Sequence, residues 1–95
     1  MRIEDVEIDW TWASIEHIAR HGVDPEEVEE CIYEDAPMVF RTYRKGKLRY
    51  VIYCRCQGGK YLTVVVTPPE NGFIRVITAR DMTAGEKAKY RRLRR

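Results

Sequence analysis

No stretch of this 95-residue chain approaches the ~18 consecutive apolar residues of a membrane-crossing helix. The opening MRIEDVEIDW lacks the basic-then-apolar order of a secretory leader, so a cytoplasmic protein with no membrane partner is expected. Cysteine is scarce. The three present, Cys31, Cys54 and Cys56, are odd in number and follow no leader, which argues against a disulfide framework. A zinc reading of Cys54-x-Cys56 needs two more ligands, and no second Cys/His cluster has suitable spacing. Buried cysteines behaving as small apolar residues are therefore expected, with no metal and no cofactor. Repeats, low-complexity segments and linkers are also missing. A chain this short buries one small core, so residues 1–95 are expected to form a single domain.

Acidic residues are nearly missing from the second part of the chain. Residues 1–35 carry twelve acids against Arg2 and Arg20, a net −10. Residues 36–95 carry fifteen bases against Glu70, Asp81 and Glu86, a net +12. Such asymmetry implies either a basic face for polyanions beside an acidic one, or two halves that neutralise each other across the fold.

Helix signals dominate the first third. The spacing predicts a helix over residues 10–21, with Trp12, Ile15, Ile18 and Ala19 turned inward and Trp10, Ser14, His17 and His21 on the other side. Gly22 stops it, and Asp24, Pro25 and Glu27 supply the cap, first-turn proline and acidic third position of a second helix over 25–34. Residues 3–8 alternate weakly, as a short strand would. After Pro37 the period becomes two, predicting strands over 38–43, 48–56, 61–67 and 73–79 with short links, an antiparallel meander. Thr83 and Glu86 form a T-x-x-E capping box that opens a last helix with a basic tail. The order implies an α+β fold with the helices packed on one face of a sheet of about four strands.

Several of these residues fall into a familiar pattern. His21 to Glu27 read H-G-V-x-x-E-E, residues 77–80 read I-T-A-R, Glu86 and Tyr90 form E-x-x-x-Y, and Gly59-Lys60-Tyr61-Leu62 parallels a G-R-x-L turn with lysine for arginine. The chain resembles the BrnT family of type II toxins, within the RelE-like ribonucleases. This resemblance implies a RelE-like fold with two N-terminal helices, an antiparallel sheet and a C-terminal helix. It further implies an endoribonuclease, and as partners RNA and a cognate ribbon-helix-helix antitoxin, in a homodimer or a toxin–antitoxin hetero-oligomer. Where the family usually carries a lysine and an asparagine early in the first helix, this chain has Ala13, Ser14, Glu16 and His17. That departure motivates an alternative, a catalytically inactive RelE-like module that binds RNA or protein.

Metal-independent cleavage by the 2′-hydroxyl needs a base, an acid and a cation at the phosphate. Arg80 ends an apolar run just before a helix start, where it can meet a phosphate, with Asp81 or a nearby carbonyl as its plainer partner. Arg49, on a strand face that it shares with Tyr53 and Arg55, is the second candidate for stabilising charge and is expected to converge with Arg80 on one groove. Guanidinium groups there suit phosphate, and the aromatic ring suits a base. The opposing reading is an ordinary solvated face. His17 and His21, four residues apart, are the candidate proton carriers. His21 can equally cap a helix end, and His17 can simply be exposed. Lys60 and Tyr90 complete the candidate RNA contacts, although Tyr90 can also pack on the sheet.

Overall fold

The computed structural model describes residues 1–94, so Arg95, the last base of the expected tail, lies outside the described residues. Helix α1 (Trp12–Ala19) starts where the Thr11 hydroxyl accepts the Ser14 N–H at 3.1 Å. After α1, Gly22 takes φ +74°, the left-handed conformation that ends a helix without a Cβ clash. Asp24 and Glu27 then bond reciprocally to open α2 (Pro25–Glu34). Strands β2 (Met38–Arg44), β3 (Lys47–Arg55), β4 (Tyr61–Val66) and β6 (Val76–Asp81) form an antiparallel sheet in the order β2-β3-β4-β6. Helix α3 (Ala84–Leu93) follows the expected Thr83/Glu86 capping box. The predicted α+β architecture is therefore present, and among the described residues no helix is long and apolar enough to cross a membrane.

Two expected strands are divided. Residues 3–8 become a 3-10 turn (Ile3–Asp5) and a two-residue strand β1 (Glu7–Ile8). The strand expected over 73–79 splits at Arg75 into β5 (Phe73–Ile74), which pairs in parallel with β1, and β6, which pairs with β4. Between Val65↔Thr78 and Val66↔Val76 the register skips Ile77, a bulge that bends β6 along the sheet edge.

Successive residues of a strand point to opposite sides, which places two layers on this sheet. Ile52, Cys54, Leu62, Val64, Val66, Val76 and Ala79 form the core with Ile18, Val23, Val28 and Ile32 from the α1–α2 side. Tyr53 faces the other way and clusters with Met82 and Tyr90 of the α3 side, with Met38, Phe40, Val51 and Tyr61 packed around them. The helices are therefore not all on one face as expected. Alternation along β3 and β4 makes both faces partly apolar, and each face needs its own cover.

The inward side of α1 also differs from the periodicity. Trp12 is 79% exposed, whereas Ser14 is buried at 7% beside Ile18. A serine is tolerated there because its hydroxyl bonds that of Thr11 at 2.6 Å. The cysteine expectation is overturned as well. Cys31 of α2 and Cys54 of β3 form a disulfide between Cα atoms 5.3 Å apart, leaving Cys56 as the free buried cysteine. Their 23-residue separation in sequence carries no pairing signal, and the contact arises only when α2 docks on the sheet.

Lys60–Glu27, Arg75–Asp9 and Arg94–Asp35 join the basic and acidic parts of the chain. Neutralisation is thus partial, and it follows the seams between layers.

Candidate functional site

Arg80 is in register with Thr63 on β4, which is opposite Tyr53 on β3, so these three side chains share the α3 side of the sheet. The first turn of α3 sets Glu86 above them. Arg80 Nη1 donates to Glu86 Oε1 at 2.7 Å and to the Asp81 carbonyl at 3.1 Å, and Nη2 donates to Glu86 Oε2 at 3.0 Å. The Thr63 hydroxyl and the Thr83 N–H also donate to Glu86 Oε1, at 3.0 and 2.9 Å. These bonds, that from Arg80 foremost, hold the Glu86 carboxyl down at about 2 against the pull of partial burial. In return Glu86 raises Arg80 above the usual guanidinium range. A guanidinium has five N–H donors. Glu86 and Asp81 take three, leaving the Nε hydrogen and one Nη2 hydrogen for a ligand. Burial lifts the Tyr53 hydroxyl above its ordinary range, helped by the charge of Glu86 and opposed by that of Arg80.

The histidine side of α1 is turned toward β6. His17 Nε2 lies 3.1 Å from the Thr78 hydroxyl, two residues before Arg80 on the same strand, and the His21 ring meets His17 edge-on with centroids 5.4 Å apart. The fold thus places His17 against the edge strand that carries Arg80, with His21 packed on His17.

Arg49 is on the same side of the sheet but elsewhere on it. It sits four residues along β3 from Tyr53, about 13 Å at ~3.3 Å per residue, and β3 lies two strands from β6. Its Nη1 donates to the Leu48 carbonyl at 3.0 Å, and it lines an open groove of about 930 Å³ with Arg75, Asp9 and the exposed Phe73. Held by the Leu48 carbonyl and by Glu86 respectively, Arg49 and Arg80 do not converge on one groove, contrary to expectation.

The other candidates are dispersed. Lys60 donates to the Gly22 carbonyl at 2.7 Å and to Glu27 Oε2 at 3.1 Å, tying the β4 entrance to the α1–α2 turn. Tyr90 is 3% exposed, and its hydroxyl donates to Asp35 Oδ2 at 2.7 Å and accepts from Arg94. Burial first, then Asp35, pushes that hydroxyl up to about 12. Arg55 is exposed, with its guanidinium 5.1 Å from the Tyr61 ring centre. Sequence reasoning missed Thr63 and Thr78, whose positions depend on strand register, and it read Glu86 as a cap and a motif residue without its pairing to Arg80.

A family model described as ribonuclease toxin, BrnT, of type II toxin-antitoxin system matches residues 12–86, which span α1 through Glu86. The chain belongs to this family. The match contains His17, His21 and the whole Arg80–Glu86 corner, and it ends within the first turn of α3. No curated protein matches the chain.

Proposed function

We propose that this BrnT-family chain is the toxin of a type II toxin–antitoxin pair and cuts RNA without a metal. The 2′-oxygen forms a bond to phosphorus as the bond to the 5′-oxygen breaks, leaving a 2′,3′-cyclic phosphate. One imidazole takes the 2′-hydroxyl proton and another proton reaches the departing 5′-oxygen. The observation that carries this reading is Arg80, held by Glu86 on one edge with another edge free, on the strand whose Thr78 holds His17. The free edge suits a phosphate oxygen gaining negative charge, because it donates two parallel hydrogen bonds from a fixed cation. His17 and His21 serve as the proton carriers. Glu86 is a positioning residue: with its carboxyl held at about 2, it is a poor base near neutrality and a good anchor. Arg49, in its separate groove, takes a flanking phosphate.

Purified protein should cleave labelled RNA, and Arg80→Ala should slow single-turnover cleavage by about 10²–10³, the cost of removing one such donor. Cut ends carrying a 3′-hydroxyl would overturn the mechanism. Wild-type protein that binds RNA yet leaves it intact would favour the inactive-module alternative raised by the first helix. The proposed partner is a cognate ribbon-helix-helix antitoxin, in a cytoplasmic complex.

A further inference from the structure

Tyr61 stands two residues before Thr63 on β4 and points to the same side, diagonal to Arg80 with Cα atoms about 7–8 Å apart. Three cations surround its ring. Arg55 comes from β3, with its guanidinium carbon 5.1 Å from the ring centroid, and Lys87 and Arg91 come from α3 at 5.0 and 5.3 Å. The nearby cations, Arg91 foremost, lower the Tyr61 phenol below its ordinary range against the opposing effect of burial. Among the described residues, none of the three cations forms a salt bridge. The carboxylate beside them, Asp35, accepts from Arg94, from Tyr90 and from the Arg55 backbone N–H, so it is already engaged. Two of the three cations, Arg55 and Arg91, line an open depression of about 300 Å³ with Asp35, Tyr61, Tyr90 and Arg94.

Three like charges within about 5 Å of one ring repel one another, and a single tyrosine face offsets only part of that cost. An anion placed among them removes the repulsion. Two guanidinium groups favour a tetrahedral oxyanion with several acceptor oxygens.

We propose that Arg55, Lys87 and Arg91, gathered round Tyr61, form a phosphate subsite that holds the backbone of single-stranded RNA beside the Arg80 corner. This rests on the reading of the chain as an RNA-cutting enzyme. The subsite extends that reading by giving the strand a course, from the Arg80 edge toward the C-terminal half of α3. Lys87 and Arg91 are four apart on one helix face, so they project to the same side.

The test uses a single-stranded RNA with 2′-O-methyl at every position, which cannot be attacked by its own 2′-oxygen. Its affinity for wild-type protein and for the Arg55→Gln/Arg91→Gln double variant is followed by fluorescence anisotropy from 50 to 300 mM salt. The double variant should bind on the order of tenfold more weakly at low salt. Its log–log salt slope should be shallower by about 0.7 for each charge removed. Thermal unfolding of both proteins is measured alongside. An unchanged slope and affinity would overturn the subsite, as would a double variant that only loses stability, since the cluster would then be a packing device. Cleavage of the unmodified RNA separates the two readings. Wild-type cleavage with an unaltered double variant sinks the subsite alone, while loss of slope without wild-type cleavage leaves the subsite standing and sinks the nuclease.

Discussion

Ile52 and Tyr53 are neighbours on β3, yet they belong to different halves of the molecule. Ile52 is fully buried among aliphatic side chains against α1 and α2. Tyr53 faces the α3 layer, where Thr63, Arg80, Glu86 and the cations round Tyr61 lie on or above the same surface. One face holds the protein together by excluding water. The other keeps charges partly solvated and is where a polyanion can act. Placing the larger aliphatic core on one face leaves the other, with its smaller aromatic cluster, to carry like charges that a core could not hold.

The sharpest way to break this comparison is to shorten each neighbour. Ile52→Ala should lower the unfolding free energy by about 2–5 kcal/mol, whereas Val51→Ala, half-buried on the α3 side, should cost less than half as much. Equal losses in denaturant titrations would mean that the faces share the load. The disulfide strengthens the α2 side further. Breaking the Cys31–Cys54 bond opens a 23-residue separation and should cost about 3 kcal/mol, read as the difference in unfolding with and without reductant.

Acid should expose the other face first. The Glu86 carboxyl titrates at about 2 when folded, below the ordinary 4.5, so its contribution is fully present above pH 4.5 and is lost as pH falls toward 2. Glu86→Gln keeps a capping-box side chain. It should flatten the acid dependence of stability in that window, and an unaltered acid limb would show that the Arg80 pair contributes nothing. The smallest effect is expected from Lys60→Ala. Its half-exposed ion pair with Glu27 is worth about 1 kcal/mol or less, and RNA affinity should stay at the wild-type value because Lys60 points to the α1–α2 turn. Weakened RNA binding in that variant would blur the division between the faces.

Local signals were the legible part of this fold. Gly22, the Asp24/Glu27 and Thr83/Glu86 boxes and the two faces of β3 could all be read from residues a few positions apart, because caps and strand alternation are short-range effects. The amphipathic reading of α1 failed where burial was decided from outside the helix. Ser14 is buried because Thr11 satisfies it, and Trp12 is left in solvent. Arg80 was identifiable as a functional candidate. Its separation from Arg49 was not, since that depends on how four strands align.

The sequence by itself determined the order of the three helices and the main strands, the starts of α2 and α3, the family and the charge asymmetry, all written in spacing and composition. Only tertiary structure decided that Cys31 meets Cys54, that α3 covers the face opposite α1 and α2, and that Glu86 reaches Arg80 while three cations close on Tyr61. Those contacts depend on strand register and on the angle at which each helix docks, which are set by packing the whole core at once.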